Sequence, residues 1–116
     1  MSTCYWLTEN VSNKNPWDNK VIVSKTDFMN KTEQFARFNV KIVNGELPSN
    51  LLLEYTDSEG VTSCLHVDFS EDCSELKMFT RYGRQRNEKT ILLAVMCVLG
   101  YPLIDEYSIE DIDEVA

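Results

Sequence analysis

A chain of 116 residues with 43% apolar and 26% charged side chains has the length and make-up of one globular domain, and its apolar share excludes a disordered chain. Its net charge of −8 disfavours direct nucleic-acid binding, because phosphate contacts need cations that displace counterions. The longest apolar run, ILLAVMCVL at 91–99, is well short of the roughly 18 residues that suggest a membrane span, so no membrane partner is expected.

The opening MSTCYWLTEN lacks a basic start, and Thr8, Glu9 and Asn10 break its apolar stretch. No secretion signal is therefore expected, and the protein is expected to be cytoplasmic. Cys4, Cys64, Cys73 and Cys97 are then expected as reduced thiols, with Cys97 a small buried hydrophobe inside the apolar run. The first twenty residues read as irregular, anchored by Trp6 and Trp17, with NKNPWDNK as loop chemistry around Pro16.

VIVS at 21–24 is a short strand candidate. In TDFMNKTEQF, Thr26 is a candidate cap, Asp27 suits a first turn, and Phe28, Thr32 and Phe35 fall on one face, which predicts a helix over about 26–34. In ARFNVKIV, Ala36, Phe38, Val40 and Ile42 alternate with Arg37, Asn39 and Lys41, the period of a strand with one buried face. After the break at Asn44-Gly45 and Pro48, LLLEYT and VTSCLHVDF flank DSEG and predict a hairpin whose four-residue loop ends at Gly60. LKMFTRY follows as a further strand.

NEKTILLAVMCVLGYP carries the clearest helix signal. Asn87 is a candidate cap, Glu88 suits the positive end, Gly100 suits a left-handed terminus and Pro102 cannot continue the helix. Every residue over 91–99 is apolar, which predicts a helix with almost no wet face. In the last twelve residues, DEYSIEDIDEVA, Ile109, Ile112 and Val115 recur every three positions among acids, and Ser108 with Asp111 resembles a capping pair.

Charge comes in blocks. Residues 1–43 hold six Lys or Arg against four acids, 44–76 hold eight acids and no Lys or Arg, 77–89 hold five cations against Glu88, and 90–116 hold six acids alone. The basic stretch RYGRQR places Arg81, Arg84 and Arg86 near Tyr82. In so acidic a chain these cations are expected to pair with the protein's own acids or with an acidic part of a partner, ahead of phosphate.

Thr62, Cys64, His66 and Asp68 share one face of their strand. Thiol, imidazole and carboxylate all ligate zinc, and Cys73 offers a fourth group. Structural zinc sites, however, pair their ligands in two clusters, and neighbours two apart on a strand are roughly 6.5–7 Å apart, too far for a direct thiol–imidazole hydrogen bond without side-chain reach. A solvent-facing polar strand side is the simpler expectation. No phosphate loop, dinucleotide glycine pattern, HExxH or nucleophile elbow is present. DFSEDCSELKMF fails as a calcium loop, with Cys73 at the glycine place and Phe79 at the final glutamate place.

The expected fold is α+β. It has an antiparallel sheet of four to five strands, one strongly apolar helix over about 88–99 packed on one face, and short peripheral helices at about 26–34 and 108–115. Residues 1–116 are expected to form a single compact domain, with 105–116 an acidic helix or tail. The expected function is a small acidic binding or inhibitor protein, without catalysis or cofactor, that blocks a basic protein. Immunity proteins or antitoxins against nuclease toxins, and phage counter-defence proteins, are of this kind. The residues expected to face that partner are Asp105, Glu106, Glu110, Asp111, Asp113, Glu114, Glu71, Asp72 and Glu75. Two alternatives stay open: a metal- or ligand-binding domain or enzyme on the Cys64/His66/Asp68 face, and a structural subunit that docks through the stripe of its tail.

Overall fold

The computed structural model describes residues 3–9, 21–69, 76–80 and 86–105. In chain order the elements are β1 (Thr3–Leu7), α1 (Lys25–Met29), α2 (Thr32–Ala36), β2 (Val40–Asn44), β3 (Asn50–Thr56), β4 (Thr62–Phe69), β5 (Leu76–Thr80), α3 (Glu88–Leu99) and β6 (Leu103–Asp105). The strands form one antiparallel sheet in the order β2-β3-β4-β5-β1-β6.

Alternation decides what each face of the sheet carries. In β4, Ser63, Leu65, Val67 and Phe69 are buried, while Cys64, His66 and Asp68 are half-buried. Register carries this division across the sheet: Leu53 lies opposite Leu65, Val67 opposite Met78, Tyr5 opposite Met78, and Leu7 opposite Leu103. These side chains join Phe28 and Phe35 of the short helices and Ile91, Leu92 and Val95 of α3 in one core. Phe28 stacks on Phe35 at 5.3 Å and meets Phe69 edge-on at 5.9 Å. Each fully buried side chain of this kind contributes roughly 1.5–3 kcal/mol of gross transfer energy. On the opposite face Cys4, Trp6 and Ile104 form a smaller buried cluster, with Phe79 against it.

Two parts of the expected fold are corrected. The sheet has six strands among the described residues, not four to five. The added strands are β1 and β6. β1 is buried on both faces, Tyr5 and Leu7 on one side and Cys4 and Trp6 on the other, so it reads as a continuous apolar run without alternation. β6 is three residues long, too short to show a period. Nor is α3 strongly apolar on every side. It buries Ile91, Leu92, Ala94, Val95 and Met96, but Lys89, Thr90 and Cys97 are exposed and Leu93, Val98 and Leu99 are half-buried. Cys97 is therefore not the buried hydrophobe its neighbours suggested.

Smaller departures have local causes. The expected helix over 26–34 is two helices. Ser24, not Thr26, caps α1 by accepting the Asp27 N–H at 3.1 Å, and Thr32 Oγ donates to the Met29 carbonyl at 2.6 Å where α1 gives way to α2. Residues 21–24 join no ladder, although Val21 N–H donates to the Leu7 carbonyl at 2.9 Å. The strand expected from Ala36 begins only at Val40, because Asn39 holds a left-handed φ of 61° that re-aims the chain and leaves Phe38 exposed. The β3–β4 turn spans 57–61, one residue longer than expected, with Gly60 at φ 83°. Gly100 ends α3 in the left-handed conformation, its N–H returning to the Met96 carbonyl. Trp17 and the helix expected at 108–115 lie outside the described residues.

Candidate functional site

Of the acids expected to face a partner, Asp105 alone is described. It closes β6, opposite Tyr5 of β1, at the edge of the sheet. Glu106, Glu110, Asp111, Asp113, Glu114, Glu71, Asp72 and Glu75 lie outside the described residues. Strand directions nevertheless fix where their segments join the fold. The link 70–75 connects the end of β4 to the start of β5, at the sheet end that also holds Leu7 and Leu103. β6 runs away from that end, from the level of Leu7 toward the level of Tyr5 and Thr3. The two acidic runs thus join the sheet at different places along its length.

The basic stretch is partly accounted for. Arg86 pairs with Asp57 through Nε at 3.3 Å and with Glu59 through its terminal nitrogen. Asp57 is the centre of this corner. Its Oδ1 accepts the backbone N–H groups of Glu59 at 2.9 Å and Val61 at 3.0 Å, and its Oδ2 accepts from the Asn87 side-chain amide at 2.9 Å. The Asn87 bond first, then the backbone donors and the Arg86 charge, hold the Asp57 carboxyl below the usual carboxylate range despite some desolvation. Asn87 therefore does not cap α3 with its side chain, as its position suggested; its own N–H is received by the buried Ser63 Oγ at 3.1 Å. The hairpin turn and the start of α3 are locked together by this network. Arg81 and Arg84 lie outside the described residues.

Cys64, His66 and Asp68 do share a sheet face, but each is engaged by a different neighbour. Cys64 Sγ donates to Glu54 Oε2 at 3.8 Å, and burial, reinforced by that carboxylate, pushes the thiol up. A thiol held protonated is a poor nucleophile and a poor metal ligand. His66 stacks on Phe79 with ring centres 5.1 Å apart. Asp68 accepts from the Asn50 amide at 2.6 Å. Among the described residues no three His, Cys, Asp or Glu side chains converge as a metal site would require.

Two features escape a reading of the sequence. Glu88 is buried, and Tyr5 donates its hydroxyl to Glu88 Oε1 at 2.6 Å, tying β1 to the first turn of α3 across 83 residues of chain. No local pattern marks so distant a pair. The second is a pair of surface cavities at the C-terminal end of α3. One, of about 340 Å³, is lined by Leu93, Met96, Cys97, Gly100, Tyr101 and Pro102. The other, of about 410 Å³, has Val21, Val23, Leu99 and Tyr101 on one side and Asp27, Asn30, Lys31 and Gln34 of the α1–α2 corner on the other. Positions 93, 96, 97 and 100 are a helical stripe of their own, and that second stripe within the apolar run is the signal that could have located the groove.

No family model matches the chain, and no curated protein or solved structure shows significant similarity to it.

Proposed function

We propose that the protein is a non-catalytic, cytoplasmic binding or inhibitor protein that blocks a basic protein partner, with the acidic runs 71–75 and 105–114 as its contact regions. The observation that carries this reading is the balance of charge. The chain holds a net charge of −8, and Arg86, the described member of its basic stretch, is already paired with Asp57 and Glu59. That pairing supports an outward field set by the acids. A field of this sign steers a cationic macromolecule and raises its association rate. Because the two runs join the sheet at different places, the reading favours a partner that contacts the protein at more than one point. Inhibitors of nuclease toxins and phage counter-defence proteins fit this description. The Cys64/His66/Asp68 face supports an enzyme less well, since its three groups point their chemistry at separate neighbours.

The test is kinetic. A partner captured from native lysate is titrated against wild type and against a variant with Glu106, Glu110, Asp111, Asp113 and Glu114 changed to their amides. The association rate is expected to fall at least about tenfold between about 0.05 and 0.5 M salt, and to fall similarly in the amide variant at low salt. Equal rates across salt, or an amide variant that associates as fast as wild type, would remove the basis of the proposal.

A further inference from the structure

We propose that the outer edge of β2 is a self-pairing surface, through which two copies of the chain join their sheets antiparallel about a two-fold axis at Val43. The inference is independent of the partner reading above, since β2 is the edge of the sheet remote from β6.

The ladder fixes which backbone groups this edge offers. The Gly45 N–H donates to the Asn50 carbonyl at 3.1 Å. Hydrogen-bonded and non-hydrogen-bonded positions alternate in an antiparallel pair. Counted from Gly45, Lys41 and Val43 therefore bond to β3, while Val40, Ile42 and Asn44 turn their N–H and C=O outward. The far side of β3 agrees. The Phe69 N–H donates to the Ser49 carbonyl at 2.9 Å, so Leu51, Leu53 and Tyr55 bond to β4, which leaves Asn50, Leu52 and Glu54 for β2. Val40 is 2% exposed, so its outward groups are covered. Ile42 is half-buried and Asn44 exposed, and their outward groups meet no partner among the described residues.

Those two residues select the register. With the axis at Val43, Ile42 exchanges N–H···O=C bonds with Asn44 of the second copy, Asn44 does so with its Ile42, and Val43 lies opposite its own mate. An axis at Ile42 would need the covered groups of Val40. An axis at Lys41 would set like charges directly opposite, which is destabilising.

Charge and exposed apolar surface fit the same axis. Lys41 and Glu46 are exposed, and neither forms an ion pair among the described residues. The axis places Lys41 opposite Gly45 of the second copy and beside its Glu46, and symmetry repeats the contact. Phe38, 42% exposed, comes within one residue of Leu47 of the second copy, which is 61% exposed. A lysine on a sheet edge ordinarily discourages pairing, but here its charge is met by a carboxylate. Lys41 is the one charged residue of β2, so two acidic chains meet along this edge without setting acid against acid. The contact is one short strand wide, which makes the dimer weak, with a midpoint of about 0.1–1 mM.

The test is sedimentation equilibrium of the full chain up to about 2 mM, with amide shifts followed on dilution. A monomer–dimer equilibrium is expected, its shifts centred on 41–47. In a chain carrying Cys73→Ser and Cys97→Ser, Val43→Cys should give a disulfide-linked dimer on mild oxidation, because a non-hydrogen-bonded pair holds its Cα atoms about 4.5 Å apart. Lys41→Cys, displaced from its mate, should not. Asn44→Pro removes an outward N–H without touching the bonds to β3, and should abolish the dimer with the circular dichroism spectrum unchanged. Glu46→Lys, at an exposed turn position, should weaken the dimer at least about fivefold although it lowers the net charge. It carries the decision if Asn44→Pro disturbs the fold. Glu9→Lys, the same change of charge at an exposed position beyond β1, should not weaken the dimer. A chain that stays monomeric at about 2 mM, a Val43→Cys chain that does not cross-link, or a dimer that Glu46→Lys leaves as tight would each overturn the proposal. So would growth beyond dimers, which would mean that β2 pairs with a different edge.

Discussion

Glu88 sits 5% exposed beneath the first turn of α3 and takes its hydroxyl partner from Tyr5, a residue with 1% exposure. A buried acceptor that loses its donor costs about 1–3 kcal/mol, so Tyr5→Phe should lower stability by about that amount in urea denaturation. Glu88→Gln keeps an acceptor for the hydroxyl and should cost less. At Asp57 the pH dependence has a definite sign. Its folded carboxyl titrates below the unfolded one, so its contribution is complete above the unfolded value near 3.9 and is lost as pH falls through the folded value. Asp57→Asn should therefore lower the melting temperature at neutral pH and flatten its fall below about pH 4, read by thermal melts. The thiols offer a third check. Cys97 is exposed, while Cys64 is part-buried and held protonated beside Glu54, so in native protein at pH 8 Cys97 should be alkylated well ahead of Cys64, as peptide mapping would show.

Among the elements, what could be read in advance depended on how many faces each one buries. β4 was legible because one face is dry and the other half-wet, which writes alternation into the chain. β1 was not, because burial on both faces erases the alternation. The division of Cys64, His66 and Asp68 onto one face was also readable from period alone, but their separate partners, Glu54, Phe79 and Asn50, come from register between strands and were not. In α3 the composition hid a distinction of geometry. A helix lying on one face of a sheet covers about half of its circumference, so the stripe through Leu93 and Cys97 faces outward however apolar it is. The end of that helix gives a clean prediction. Gly100 has φ 79°, where a Cβ is strained although space is open around it, so Gly100→Ala should cost about 1–2 kcal/mol in chemical denaturation without displacing a neighbour.

At the scale of the molecule, the link 70–75 and the exit from β6 stand at different places along the sheet, and neither location could be read from the charge blocks alone, since it follows from strand order. This makes the two acidic runs separable. If one partner spans both, amide variants of Glu71, Asp72 and Glu75 and of the 106–114 acids should each lower the association rate, and their effects on its logarithm should add, in stopped-flow mixing at low salt. If only the 106–114 run faces the partner, the changes at Glu71, Asp72 and Glu75 should leave the rate unaltered.

The position of β1 between β5 and β6 also governs how the protein is made. Tyr5 is synthesised well before its two ladder partners, Met78 and Asp105. β2, β3 and β4 can assemble by hairpin pairing of near neighbours while β1 waits. Closure of so long a loop is slow relative to local pairing. Until it happens, Tyr5, Trp6 and Leu7 are unpaired hydrophobic backbone, the kind of surface that chaperones hold and that aggregates grow from. The interval between synthesis of residue 7 and residue 103 is thus the vulnerable period in the life of this chain.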